Sequence, residues 1–142
     1  MAKEFEKFWI SQVGILIRDN KCLILEFNGL PKGEWGFPGG RMDIGEHCDE
    51  AFARELKEEL NMDNFEILGI VDFDTWVTKR GGHPVSGIAR LIKNDNDEIK
   101  LSHEHVQMAW ISEDEVDDYN FVWPNAKRMI KNGFEYLRKY EK

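Results

Sequence analysis

The chain has 142 residues, of which 42% are hydrophobic and 12% aromatic, and its formal net charge is −8. This length and composition predict one globular domain over residues 1–142 and argue against a disordered or fibrous chain. The acidic balance argues against nonspecific binding to a nucleic acid polymer or an anionic membrane, because like charges would repel, but it is compatible with a small phosphorylated substrate.

The amino-terminal segment and the two cysteines predict the compartment. The first ten residues, MAKEFEKFWI, contain no apolar signal core, and no stretch of the chain is long and apolar enough to span a membrane. Cys22 lies in an apolar run and Cys48 near the start of a charged segment, a pattern unlike a disulfide framework. We therefore expect reduced thiols in a soluble, cytoplasmic protein.

The first third of the chain predicts two strands followed by a loop. Residues 8–18 and 21–27 are rich in aliphatic and β-branched side chains, and Asp19-Asn20 between them favours a hairpin turn. Residues 28–40 are rich in glycine and also contain Pro31 and Pro38, which favours a shaped loop over a regular element.

A helix is predicted next, from about Cys48 to Leu60, with charges on one face. At roughly 100° per residue, its charged side chains share a wedge of about 140°; they are Arg54, Glu55, Glu58 and Glu59. Like charges at this spacing repel, each pair by about a few tenths of a kcal/mol, so cations are expected beside them. Carboxylates suit Mg²⁺ or Mn²⁺, which also hold phosphate, although a solvated face with i, i+4 ion pairs is the simpler alternative.

The segment GRMDIGEHCDEAFARELKEELNM, residues 40–62, resembles the Nudix box, G-x5-E-x7-R-E-U-x-E-E-x-G-U, where U is aliphatic. The matching residues are Gly40, Glu46, Arg54, Glu55, Leu56, Glu58, Glu59 and Met62. Asn61 stands where the family has glycine; since that residue ends the helix with φ above zero, asparagine is the next-best choice.

The resemblance implies roles for the box residues. It implies Glu58 and Glu59 as principal metal ligands, Glu55 as a ligand or as the base that activates water, and the Gly39 carbonyl as a further ligand. Arg54 is permanently charged and is expected to orient a carboxylate rather than to act as an acid. Glu46 precedes the helix and is expected either to interact with its positive end or to bond within the loop, with a direct metal role as the alternative.

The second half of the chain predicts further strands and an additional carboxylate. Residues 65–79, 85–93 and 106–111 read as strands. Glu104 lies where several Nudix enzymes carry an acidic residue that contacts metal or activates water, with Glu98 and Asp97 as rivals in the same loop. His103 and His105 flank Glu104 and are interpreted as loop or strand-edge residues rather than zinc ligands.

The last part of the chain predicts a short helix at 113–118, capped by Ser112, and a closing helix that begins near Pro124. The stretch Val122-Trp123-Pro124-Asn125 resembles the Trp-Pro-Asp stretch of the oxidised-purine triphosphatases of the family. Trp123 is a candidate to stack on a base and Asn125 to read its edge. The alternative is a core tryptophan followed by an asparagine in the first turn of the helix.

The order of elements predicts an α+β protein, and the resemblance implies an α/β/α sandwich with a central mixed sheet. The implied activity is Mg²⁺-dependent hydrolysis, with Mn²⁺ as a second candidate ion, of a small nucleotide substrate. A nucleoside triphosphate, ordinary or oxidised, would give the monophosphate and pyrophosphate. ADP-ribose or a nucleotide sugar is the alternative substrate, and a nucleotide-sensing module without turnover is the alternative function.

Overall fold

The computed structural model describes residues 2–28 and 33–141, and its strands and helices follow the predicted order. The elements in chain order are β1 (Trp9–Arg18), β2 (Lys21–Phe27), β3 (Glu34–Gly36), β4 (Gly39–Arg41), α1 (Cys48–Leu60), β5 (Glu66–Val77), β6 (Pro84–Lys93), β7 (His105–Ile111), a 3-10 helix (Glu113–Asp118), β8 (Asn120–Phe121) and α2 (Ala126–Tyr140). The five predicted strands are confirmed with small shifts at their ends. The closing helix begins at Ala126, two residues after Pro124.

The prediction of a loop over residues 28–40 is wrong in part. Residues 29–32 lie outside the described residues, but β3 and most of β4 fall within this range. Each has only three residues, too few to show an alternating pattern in the sequence. Their pairing with β2 and β1 is what makes them strands.

Within the described residues, the strands form one mixed sheet of eight strands. Its main order is β5-β6-β1-β2-β3-β8, while β4 also pairs with β1 and β7 with β2. The β1–β6 and β3–β8 pairs are parallel, and the others are antiparallel. The β1–β2 turn has φ of 49° at Asp19 and 61° at Asn20, as a tight hairpin turn requires.

The two helices cover opposite faces of the sheet. Successive residues of a strand point to opposite sides, so each helix packs on alternate strand residues. On β1, Ile15 packs in the core beneath α2, whereas the adjacent Leu16 packs beneath α1. Met129 and Ile130 of α2 are fully buried. The resulting order of layers is helix, sheet, helix, which confirms the predicted α+β class.

Two further sequence predictions can be compared with the fold. Both Cys22 and Cys48 are free thiols. Across the part of the chain that the structure describes, no helix combines the length and the apolar character needed to cross a bilayer.

Candidate active site

The box helix α1 is capped at both ends by the residues next to it. At the start, His47 caps the helix, and its Nδ1 accepts a hydrogen bond from the Asp49 N–H at 3.2 Å. At the end, Asn61 adopts the left-handed conformation with φ 58°, and its N–H donates to the Lys57 carbonyl. Asn61 therefore supplies the backbone geometry expected at this position.

The glycine turn before the box brings β4 against the carboxylates of α1. The Gly39 N–H donates to Glu59 Oε2 at 2.8 Å. A Cβ atom on Gly39 would lie 2.0 Å from the Gln12 carbonyl oxygen, and one on Gly40 would lie 2.7 Å from Glu55 Oε1. Glycine is therefore required at position 39, where the Cβ would meet backbone, whereas at position 40 the Cβ would displace the flexible end of the Glu55 side chain.

Glu58 and Glu59 are neighbours in sequence but occupy different environments. The Glu59 residue is 4% exposed, whereas the side chain of Glu58 is 58% exposed. The pKa of Glu59 is raised to about 8, mainly by burial and also by the negative charges of Glu55, Glu104 and Glu58, against the lowering effect of the Gly39 N–H. The pKa of Glu55 is also raised, first by burial, with Arg54 opposing the shift.

Arg54 forms a forked ion pair with Glu46. Its Nε lies 2.7 Å from Glu46 Oε2 and its Nη2 lies 2.9 Å from Glu46 Oε1, while Nη1 lies 3.2 Å from both Glu55 and Glu58. The hydrogen bond from Arg54, with another from the Asp43 N–H, lowers the pKa of Glu46 to about 2. Arg54 thus contacts three carboxylates, and Glu46 bonds within the loop and to the helix.

Glu104, the residue directly before β7, also influences the carboxylates of α1. Its negative charge contributes to the raised pKa of both Glu55 and Glu59. Asp97, by contrast, accepts a hydrogen bond from Asn94 Nδ2 at 2.8 Å. Among the described residues, no hydrogen bond or ion pair joins Glu98 to α1.

A pocket of about 230 Å³ adjoins these carboxylates. Its lining residues are Ser11, Val13, Phe27, Gly36, Phe37, Gly39, Gly40, Val122 and Trp123. Gly39 and Gly40 belong both to this lining and to the turn that contacts Glu59 and Glu55. The pocket therefore opens beside the acidic cluster, with Trp123 in its wall.

Trp123 and Asn125 are placed differently with respect to this pocket. The ring of Trp123 packs edge to face on Trp76, with centroids 4.6 Å apart. The Asn125 side chain is not in the pocket lining, and its Nδ2 donates to Asp74 Oδ2 on β5. The side-chain oxygen of Asn125 takes no part in the bond to Asp74.

Family membership follows from comparison of the whole chain. The NUDIX domain model matches residues 10–132. The chain belongs to the Nudix family. The predicted resemblance is therefore confirmed, and it extends far beyond the box.

Relatives of this Nudix chain include several pyrophosphohydrolases. It is 32% identical over 144 residues to an RNA pyrophosphohydrolase of Ruthia magnifica subsp. Calyptogena magnifica, covering 90% of this chain and 74% of that protein. The structure superposes on an Ap4A hydrolase of C. elegans with a TM-score of 0.76 at 23% identity, covering 93% of this chain and 99% of the other. An ADP-ribose pyrophosphatase of Streptococcus suis gives a TM-score of 0.72 at 19% identity, covering 95% and 96%. The chain is a Nudix hydrolase, and the structures confirm its α/β/α fold.

Nudix hydrolases use divalent metal ions, and the residues present here fit such an ion. Glu55, Glu59 and Glu104 supply hard carboxylate oxygens, and their mutual repulsion in a partly buried cluster is what a cation would relieve. Arg54 supplies positive charge at the Glu58 side of the cluster, whereas Glu59 accepts only the Gly39 N–H among the described donors. The buried end of the cluster is therefore the better position for a metal.

His105, which the sequence interpretation treated as a loop or strand-edge residue, lies beside Glu59. Its side chain is buried, and its Nε2 lies 3.9 Å from Glu59 Oε2. Burial lowers the pKa of this imidazole, and the charge of Glu104 opposes the shift. The available signal was its position at the start of a strand directly after Glu104, but no local pattern places it beside Glu59.

Proposed function

We propose that this enzyme hydrolyses nucleoside triphosphates, ordinary or oxidised, to the monophosphate and pyrophosphate with Mg²⁺ as the metal. The observation that supports the proposal is the junction of an apolar pocket with the carboxylate cluster at Gly39 and Gly40. A triphosphate bound across that junction would have its base in the pocket and its phosphates beside the glutamates.

The size of the pocket favours a single base. Sites that enclose a whole ligand measure roughly 300–1,000 Å³, and this pocket of about 230 Å³ is smaller. It is also lined mainly by apolar and aromatic side chains, with Ser11 as a polar exception. We propose that Trp123 stacks on the base and that Asn125, which Asp74 holds outside the pocket lining, contacts the part of the base edge that extends from the pocket, through its side-chain oxygen.

The reaction requires water to attack a phosphorus atom whose anionic oxygens repel nucleophiles. Bound Mg²⁺ would neutralise that charge and lower the pKa of water, with Glu58, Glu59, Glu55 and the Gly39 carbonyl as proposed ligands. As the water oxygen bonds to phosphorus and the bond to the leaving pyrophosphate breaks, we assign the released proton to Glu55, which faces Gly40 at the edge of the pocket. Glu104 is the alternative base, since it belongs to the same cluster.

A second candidate substrate is the triphosphorylated 5′ end of an RNA. The observation that favours it is the 32% identity to a protein named RNA pyrophosphohydrolase. The net charge of −8 opposes binding of a long polyanion, so a free nucleotide remains the first candidate. ADP-ribose and nucleotide sugars are the remaining substrate class, and nucleotide sensing is disfavoured because the box carboxylates are all present.

A substrate panel tests this proposal. The purified protein is incubated with Mg²⁺ and ordinary or oxidised nucleoside triphosphates, a short 5′-triphosphorylated RNA, ADP-ribose and nucleotide sugars, and products are separated by anion-exchange chromatography. We expect a nucleoside monophosphate and pyrophosphate from at least one triphosphate, and a loss of at least about 100-fold in Glu59→Gln. Cleavage confined to the RNA, or to ADP-ribose and sugars, would reassign the substrate. Nucleotide binding without turnover would support a sensor.

A further inference from the structure

His105 presents a buried polar atom to the carboxylate cluster. Its side chain has no exposed surface, and its Nε2 has no hydrogen-bond partner among the described residues. The nearest carboxylate oxygen is Glu59 Oε2, at 3.9 Å. Buried polar atoms are nearly always paired in proteins, so an exception at a site of this kind calls for a functional explanation.

The contact of the other ring nitrogen of His105 favours the tautomer that carries the proton on Nε2. Ser102 Oγ lies 3.2 Å from Nδ1 and accepts a hydrogen bond from the Glu104 N–H at 3.3 Å. With that acceptor contact made, the Ser102 hydroxyl proton is available to donate to Nδ1, which puts the imidazole proton on Nε2. The donor of His105 then faces Glu59, whereas the opposite tautomer would set a lone pair against a carboxylate.

The backbone ties this loop to the end of α1. The Ser102 N–H donates to the Glu59 carbonyl at 3.2 Å, and the His105 N–H donates to the Ser102 carbonyl at 3.2 Å. The ring of Phe27 packs on the imidazole with centroids 4.7 Å apart. His105 is therefore held at a fixed place beside Glu59 rather than carried on a free loop.

We propose that His105 is a positioning residue for Glu59, an inference that rests on the proposed metal-dependent hydrolysis. Its Nε2 lies 3.9 Å from Oε2 of Glu59, the same oxygen that accepts the Gly39 N–H at 2.8 Å. The Gly39 hydrogen bond and the adjacent imidazole donor favour one rotation of the carboxylate, with Oε2 towards the protein and Oε1 towards the metal. Ser102 connects the backbone of Glu104 to this arrangement.

Binding of Mn²⁺ tests the role without relying on turnover. Free Mn²⁺ is measured by electron paramagnetic resonance in titrations of the wild type, His105→Phe and His105→Gln. Phenylalanine retains an aromatic ring beside Phe27 but has no donor, so we expect the Mn²⁺ dissociation constant to rise roughly 10- to 100-fold. Glutamine places an amide N–H near the position of Nε2 and should retain most of the affinity. His103→Phe is the matched control, since His103 is exposed, and it should bind Mn²⁺ like the wild type.

The outcomes separate this inference from the proposed function. Wild-type affinity in His105→Phe, or equal weakening in His105→Phe and His105→Gln, would overturn the role of the donor while leaving the metal site intact. A wild type that binds no Mn²⁺ and hydrolyses nothing would overturn the proposed function, and this inference with it. If His105→Phe does not fold, Ser102→Ala is the deciding variant. Weaker Mn²⁺ binding in Ser102→Ala supports the tautomer with the proton on Nε2, and unchanged binding overturns the role of His105.

Discussion

The Gly39 N–H donates to Glu59 Oε2 at 2.8 Å, and this hydrogen bond joins the glycine turn to the most buried carboxylate of the box helix. The bond only partly offsets the cost of burying Glu59, whose pKa stays raised to about 8. Metal binding requires the ionised carboxylate, so metal affinity and the stability of the metal-free protein are coupled at this residue.

We predict that Glu59→Gln stabilises the metal-free protein at pH 8. The pKa of Glu59 rises from 4.5 to about 8 on folding. The contribution of Glu59 to the free energy of unfolding is therefore fully present below pH 4.5 and is lost as the pH rises towards 8. The neutral glutamine can still accept the Gly39 N–H and avoids that loss, which is on the order of a few kcal/mol at most. Thermal unfolding in EDTA at pH 5 and pH 8 measures the difference.

The same variant should lose the stabilisation that Mg²⁺ gives the wild type. Glu50→Gln is the control, because Glu50 is exposed on the same helix; it should follow the wild type at both pH values. A wild type that gains stability relative to Glu59→Gln between pH 5 and pH 8 would contradict the electrostatic account.

We predict the opposite pH dependence for Glu46. Arg54 lowers the pKa of Glu46 from 4.5 to about 2, so its stabilising contribution is present above pH 4.5 and is lost as pH falls towards 2. Glu46→Gln should therefore melt below the wild type at neutral pH, and the gap should close in acid. Melting temperatures between pH 7 and pH 2.5 test this, with the exposed Glu4→Gln as control. A gap that persists unchanged to pH 2.5 would rule out the ion pair as its cause.

The elements of the fold differ in how far local sequence determines them. The bounds of α1 were predicted because its apolar face, its cap at His47 and the left-handed Asn61 are all encoded within a few residues. The strands β3, β4 and β8 were missed because two or three residues carry no periodic signal. They form only through pairing with strands that are distant in sequence.

The candidate site shows the same division. Arg54, Glu55, Glu58 and Glu59 were predicted to share a face because helical spacing dictates it. The burial of Glu59 could not be predicted, because it depends on Gly39, which lies on β4 rather than on the helix. For the same reason the sequence did not distinguish His105 from His103, although one is buried beside Glu59 and the other is exposed.

We predict that Trp123→Ala raises the Michaelis constant for the nucleotide substrate. Stacking of a base on an aromatic side chain contributes about 1–3 kcal/mol, which corresponds to roughly a 5- to 150-fold change. Trp123→Phe keeps an aromatic face in the pocket wall and should lose much less. Steady-state kinetics on the best triphosphate test this, and equal constants in all three proteins would remove Trp123 from the base site.

Asn125→Ala tests whether the neighbouring amide reads the base. If its oxygen contacts the base edge, the variant should lose discrimination between purine and pyrimidine triphosphates, measured as the ratio of their kcat/KM values. Its bond to Asp74 also predicts a stability loss of about 1 kcal/mol. A stability loss with an unchanged ratio would make Asn125 a purely structural residue.

We predict that Gly40→Ala impairs catalysis more than folding. The new Cβ would lie 2.7 Å from Glu55 Oε1, so the carboxylate must move, and a misplacement of about 1 Å costs on the order of 100-fold in rate. The atom that yields is the end of a flexible side chain, so the melting temperature should change little. Gly39→Ala should instead destabilise the fold, because its Cβ would meet the Gln12 carbonyl oxygen at 2.0 Å. Gly82→Ala is strained by its φ of 62° rather than by a contact, so it should lose some stability yet retain activity. Wild-type kcat in Gly40→Ala would show that the position of Glu55 does not limit the reaction.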